Sequence, residues 1–191
     1  MDTTTLVMII VAAVVLLLVG GFLGVVFARR QRTRRLRERF GPEYERTVDQ
    51  LGDQDKAEEE LQARVKHVES LDIKPLSQEQ KERFAQEWRV TQEKFVDQPD
   101  VAIQEADRLV REVMREKGYP VDDFEQRAAD ISVDYPELVT NYRGMHTIAS
   151  RSEQEDVSTE EMRQAMVHCR ALFEELLGTQ VHENMNKKET V

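Results

Sequence analysis

Apolar positions form one long uninterrupted run near the amino terminus and, beyond it, short stripes separated by polar residues. The run covers residues 6–28, carries no charged side chain, and is broken only by three glycines. At about 1.5 Å per helical residue it reaches roughly 35 Å, enough to cross a hydrocarbon core of about 30 Å. The pattern predicts a transmembrane helix over residues 6–28, preceded by a short flank over residues 1–5.

Basic residues follow this run directly and predict its orientation. They form a collar over residues 29–41, whose seven arginines are Arg29, Arg30, Arg32, Arg34, Arg35, Arg37 and Arg39. Only Glu38 offsets them, so the collar carries a charge of +6. The positive-inside rule then places the carboxyl-terminal side in the cytoplasm and the amino terminus outside, in a plasma (inner) membrane.

Two features of this region allow alternatives. Val26-Phe27-Ala28 loosely resembles a signal-peptide cleavage site, which would make the protein an exported one. A signal peptide normally has a charged start and a shorter apolar core of about 7–15 residues, so an anchor is favoured.

The collar has two interpretations. It determines the topology of the span, or it also binds anionic lipids selectively, with a binding free energy of about 1 kcal/mol per basic residue. Nucleic acid is disfavoured, because no aromatic residue lies among the arginines.

Small residues recur every fourth position along one face of the predicted span, at Gly20, Gly24 and Ala28. This spacing allows two helix backbones to approach closely and is typical of transmembrane dimers. Glycines are also common in such helices without any partner. Helix dimerisation through this face is therefore a hypothesis.

The remaining stripes have helical spacing and predict an all-α cytoplasmic part. Residues 42–75 carry sparse apolar positions with a solvated acidic cluster, which predicts an extended helical or coiled-coil stalk, or a helix pair. Residues 76–178 carry denser stripes and two capping boxes, at Ser77/Gln80 and Ser158/Glu161, which predict a small helical bundle. Residues 179–191 show no periodicity and are expected to be a flexible tail.

The charge of the chain is distributed unevenly. The whole carries a formal charge of -10, and 40% of its residues are hydrophobic. Residues 40–191 contain 20 Lys and Arg against 35 Asp and Glu, a charge of -15. Such a body repels nucleic acid and an anionic membrane surface, and we expect it to stand away from the bilayer.

Residues that carry catalysis or bind metals in other proteins form no recognisable motif here. None of the four histidines lies in a zinc-binding or carboxylate-bridged spacing, and no glycine-rich phosphate loop or nucleophile elbow is present. The single cysteine, Cys169, lies on an apolar stripe, where a buried side chain is expected. The sequence predicts no enzyme activity, no metal, no cofactor and no small-molecule ligand.

Aromatic residues, prolines and a histidine concentrate between residues 116 and 146 more than elsewhere. The simpler interpretation is a set of helix junctions with amphipathic packing. The functional interpretation is a groove for a partner segment, with Tyr119, Tyr142, Arg143 and His146 on its rim.

The same stretch contributes to a family resemblance that spans residues 39–146. The matching segments are Arg39-Phe40-Gly41-Pro42-Glu43-Tyr44, Phe95-Val96-Asp97, and the stretch from Gly118-Tyr119-Pro120 to Tyr142-Arg143-Gly144-Met145-His146. With these the chain resembles a set of bacterial single-pass membrane proteins that have an amino-terminal anchor and an α-helical cytoplasmic domain. The resemblance implies a bacterial inner-membrane setting. The family has no assigned activity, so it implies no catalytic residues.

Together these features predict a membrane-anchored cytoplasmic α-helical interaction or scaffold module. Its expected partners are the lipid bilayer and either another protein or a second copy of itself. The alternatives are a ligand-sensing or enzymatic bundle tethered to the membrane, and an exported protein.

Overall fold

The protein is all-α, as the sequence predicts. The computed structural model describes the backbone of residues 3–152 and 157–178, together with their side chains except those of residues 3–15, 18 and 25. The predicted tail, residues 179–191, lies outside the described residues. Within the described part there are eight helices and no strand: α1 Thr3–Phe40, α2 Pro42–Leu51, α3 Gln54–Ser70, α4 Gln78–Lys94, α5 Pro99–Lys117, α6 Phe124–Asp134, α7 Val139–Arg151 and α8 Thr159–Leu177.

Helix α1 is continuous from the apolar run through the basic collar. Its 38 residues extend about 57 Å at the usual helical rise. Its last turns, residues 29–40, are called the stem here, and their buried side chains Leu36 and Phe40 join the core of the body. Within the predicted span, the described side chains do not include those of residues 6–15, 18 and 25. Over the side chains that are described, no helix has a stretch long and apolar enough to cross a membrane.

Within residues 42–75, helices α2 and α3 form a hairpin, which is the predicted helix pair and not one extended stalk. Gly52 ends α2 in the left-handed region, and the Asp53 side chain caps α3 by accepting a hydrogen bond from the Lys56 N–H. An ion pair from Glu43 to Arg64 then joins the start of α2 to the later part of α3, so the two helices run antiparallel.

The hairpin also packs on other helices: α3 contacts α6, and both hairpin helices contact the stem. The prediction of a stalk treated the acidic cluster, which includes Glu58, as solvated. Here Glu43, Thr47, Ala57 and Glu58 are buried, together with Tyr44, Leu61 and Val68. The hairpin therefore buries polar and small residues beside large apolar ones.

The remaining helices form the predicted bundle. Helix α5 packs against α4, α7 and α8, and α8 also packs against α7. Both predicted capping boxes are present, at the starts of α4 and α8. Trp88 of α4 stacks on Phe173 of α8, with 4.8 Å between ring centroids. The apolar stripe of α8 is buried in this core, including Cys169.

A glycine that ends α5 is expected to be essential for stability. Gly118 has a φ of +103°, and an added Cβ would lie 2.6 Å from the Asp72 carbonyl oxygen. Both the left-handed backbone and the clash oppose a side chain, so we expect Gly118→Ala to lower the free energy of unfolding by roughly 2–4 kcal/mol. Urea denaturation of the full chain in detergent micelles measures this.

The matched control is Gly144→Ala, in the middle of α7. An added Cβ there meets nothing within 4 Å. Alanine has the better helix propensity, so this change should raise stability by about 0.5–1 kcal/mol. Equal effects of the two substitutions would show that the close approach at Asp72 is not a constraint.

Candidate functional site

The arginine collar has two faces with different surroundings. The inner face points to the hairpin, where three ion pairs form: Arg29 with Asp55 (3.8 Å), Arg32 with Glu58 (3.0 Å) and Arg37 with Glu45 (3.3 Å). The acidic hairpin is therefore held against the stem. The expectation that the acidic body stands away from the bilayer stays a prediction.

The outer face of the collar is exposed. Arg34 pairs with Glu38 on the same helix, at 2.8 Å. Arg30, Arg35 and Arg39 are exposed and form no ion pair or hydrogen bond with any residue the structure describes. These guanidinium groups are consequently open to anionic groups outside the chain.

A single carboxylate, Glu58 of α3, connects the stem to the hairpin. Its Oε1 accepts hydrogen bonds from Thr33 Oγ1 (2.6 Å), Tyr44 Oη (3.0 Å) and Gln54 Nε2 (3.1 Å). Its Oε2 lies 3.0 Å from Arg32 Nε. Burial raises the pKa of Glu58, but these hydrogen bonds and the Arg32 charge outweigh it and hold the pKa below its usual range.

This lowered pKa predicts that the stem contact weakens in acid. A carboxyl whose pKa is lower in the folded state stabilises the fold above its unfolded pKa of about 4.3, and that contribution is lost as the pH falls through the folded pKa. We expect the free energy of unfolding to fall below about pH 5, and to fall less in Glu58→Gln. The control Glu59→Gln removes an exposed neighbouring carboxylate and should leave the wild-type slope. Identical slopes in all three proteins would contradict the role of Glu58.

A cleft of about 840 Å³ opens between the stem and the start of α3. Four arginines and four acidic residues line it: Arg29, Arg30, Arg34, Arg37, Glu38, Asp53, Asp55 and Glu58. Because the charges balance, the cleft itself does not select an anion. The three unpaired arginines, Arg30 at the edge of this cleft and Arg35 and Arg39 outside it, are the better anionic contact.

The four residues predicted to line a partner groove lie mostly inside the body. Tyr142 is fully buried, and its hydroxyl accepts a hydrogen bond from Arg127 Nε at 3.0 Å. Tyr119 is 5% exposed and donates a hydrogen bond to Asp134 Oδ2 at 2.6 Å. Burial raises the pKa of both phenols, that of Tyr142 to about 12. Neither is on a groove rim.

The other two predicted groove residues also make internal contacts. Arg143 pairs with Glu43 at 2.8 Å and with Glu125 at 2.9 Å. The His146 ring stacks on Phe124, with centroids 3.8 Å apart, and its Nδ1 lies 3.3 Å from Asp107 Oδ1. The structure therefore distributes the four residues among helix contacts, in agreement with the simpler interpretation of this stretch as helix junctions.

Three arginines converge on Glu43, which the sequence analysis did not single out. Arg46, Arg64 and Arg143 approach its Oε1 at 3.2, 3.1 and 2.8 Å, while the second carboxylate oxygen is buried without a hydrogen bond from the described residues. Glu43 thus joins α2 to α3 and α7. Its partners lie 3, 21 and 100 residues away, so helical spacing could have suggested only Arg46.

The small-residue face of α1 is open in the structure. A Cβ added to Gly20 or Gly24 would meet nothing within 4 Å, and Ala28 is exposed. Dimerisation through this face stays a prediction. Among the described residues, no group of three His, Cys, Asp or Glu side chains could hold a metal ion.

Comparison with known proteins adds no relative. Family models, curated proteins and solved structures were all compared with the chain, and none of them matches.

Proposed function

We propose that this chain is a single-pass membrane protein whose α-helical body is held on the cytoplasmic side and acts as an interaction or scaffold module. The observation that carries the proposal is the exposure of large apolar side chains on α1. Leu16, Leu17, Phe22 and Phe27 are 72, 76, 68 and 69% exposed. Apolar surface of this extent in water is unfavourable, and it marks a binding site or a lipid contact.

The lipid bilayer is the occupant that fits best. The exposed side chains belong to a segment without any charge, and arginines begin directly after it. A bilayer offers a hydrocarbon core to the first and anionic headgroups to the second, particularly to the unpaired Arg30, Arg35 and Arg39. The same arginines favour retention of the following residues in the cytoplasm.

A binding role fits the body better than a catalytic one. Its most concentrated charges, around Glu43 and Glu58, are engaged in contacts between helices, where they hold the hairpin on the stem and on α7. Its sequence offers no catalytic motif, and its surface is strongly acidic. These properties support a rigid acidic platform placed close to the membrane by the stem.

Crosslinking in native membranes, followed by affinity capture, tests this role. The full chain is compared with a version truncated after Phe40, which keeps α1 and the collar but lacks the body. We expect a specific protein partner with the full chain and none with the truncated version. Recovery of only further copies of the chain by both versions would contradict the module and favour a structural homo-oligomer built through α1.

A further inference from the structure

A second cleft, of about 350 Å³, lies where the connection from α6 to α7 packs against α8. We call it the α6–α7 cleft. Its lining residues are Asp134, Tyr135, Pro136, Glu137, Leu138, Ala171 and Glu175. Most of them come from the segment that interrupts two helices, and the last two come from consecutive turns of α8. The cleft thus lies between the α6–α7 connection and one face of α8.

The lining combines an apolar surface with acidic side chains and contains no basic residue. Tyr135, Pro136, Leu138 and Ala171 supply the apolar part. The side-chain carboxylates of Glu137 and Glu175 have no hydrogen bond or ion pair with any residue the structure describes.

Two further side chains of the cleft have a polar atom without a hydrogen-bond partner among the described residues. Asp134 accepts a hydrogen bond from Tyr119 on one oxygen only, Oδ2. The Tyr135 side chain is half-buried, and its hydroxyl has no partner among the described residues. Burial, together with the negative charges of Asp134 and Glu175, raises the pKa of this phenol. The lining thus carries the three carboxylates of Asp134, Glu137 and Glu175 and no basic side chain.

We propose that the α6–α7 cleft binds a basic segment of a protein partner, which inserts one apolar side chain between Lys or Arg residues. This inference rests on the proposed function, because it names the class of partner that the module would recognise. The apolar lining takes the inserted side chain, and the carboxylates of Glu137 and Glu175 pair with the flanking cations. A partly buried tyrosine beside such a pocket is a common centre of binding energy in interfaces.

Charge and size exclude other occupants. Phosphate groups of nucleic acid would meet carboxylates rather than guanidinium groups, which opposes their binding. An acidic or purely apolar segment would leave Glu137 and Glu175 desolvated without partners, which is costly. A cleft of this volume accommodates only one or two side chains, so a short linear segment fits it better than a large flat surface.

Fluorescence anisotropy of labelled short peptides added to the full chain in detergent micelles tests the proposal. One peptide contains a single leucine between lysines, a second replaces the leucine with serine, and a third replaces the lysines with glutamates. We expect the first to bind, the second to bind about tenfold more weakly, and the third not to bind.

Three variants separate the cleft from general electrostatics. Glu137→Gln with Glu175→Gln removes the local charges, and Ala171→Gln fills the cleft without changing charge. Glu59→Gln with Glu69→Gln removes two exposed carboxylates from α3, away from the cleft. We expect the first two variants to weaken binding of the lysine–leucine peptide about tenfold and the third to leave it unchanged. Melting curves establish that each variant is folded.

Two outcomes would overturn the proposal. Equal loss in the α3 control and in the cleft variants would show non-specific attraction to an acidic protein. Binding that is unaffected by Ala171→Gln, or no binding of the lysine–leucine peptide to the wild-type chain, would show that the cleft takes no such segment. Neither outcome bears on membrane anchoring, which fractionation measures separately.

Discussion

Replacing Glu43 with glutamine is expected to lower the free energy of unfolding by about 2–4 kcal/mol. The Glu43 side chain is fully buried, and the side chains of its partners Arg64 and Arg143 are only 13% exposed. Without the carboxylate, two guanidinium groups remain largely buried and lose a charged partner. Each arginine keeps one further acidic partner, Glu60 for Arg64 and Glu125 for Arg143. The loss in free energy of unfolding is therefore smaller than if the buried arginines had no partner at all.

The matched control for this change is Glu45→Gln in the same helix. Glu45 pairs with Arg37, but both side chains are more than half exposed, so the loss should be below about 1 kcal/mol. A double-mutant cycle with Arg143→Gln should show that the Glu43 and Arg143 effects are not additive. Additive effects, or equal losses in Glu43→Gln and Glu45→Gln, would contradict the view that Glu43 holds the hairpin on α7.

The second large effect concerns anchoring. Replacing Leu16 and Leu17 together with arginine should move the chain from the membrane fraction into the soluble or aggregated fraction. Near the centre of a transmembrane helix each arginine costs about 2.5–3.5 kcal/mol and each lost leucine about 0.3–0.6 kcal/mol, so insertion becomes less favourable by about 6–8 kcal/mol. Carbonate extraction of isolated membranes, followed by immunoblotting, measures the distribution.

Two arginines placed elsewhere control for added charge. Val90 and Val96 lie on the body and are 48 and 82% exposed, so their replacement by arginine should leave the chain in the membrane fraction. Retention of the Leu16→Arg, Leu17→Arg variant in carbonate-washed membranes would contradict an anchor through this part of α1.

The sequence predicts those features that depend on neighbours within one or two helical turns. The capping boxes at Ser77 and Ser158 agree with the structure because each depends on contacts three residues apart. The buried stripe of α8 follows from helical spacing in the same way.

Features that depend on distant partners could not be obtained from the sequence. Nothing in the spacing of acidic residues distinguishes Glu43 and Glu58, which are buried, from Glu45 and Glu59, which are exposed. The difference arises from Arg143, Arg64 and Thr33, on other helices. For the same reason the hairpin resembled a solvated stalk, and Tyr142 resembled a groove residue.

The central claim, a body held on the cytoplasmic side by an amino-terminal anchor, is tested most directly by topology reporters. Green fluorescent protein and alkaline phosphatase are fused in turn after Val191 of the full chain and expressed in bacteria. A cytoplasmic body predicts a fluorescent fusion with green fluorescent protein and an inactive fusion with alkaline phosphatase, both in the membrane fraction. An active phosphatase fusion and a dark fluorescent-protein fusion would contradict the proposed orientation and place the body outside the cytoplasm.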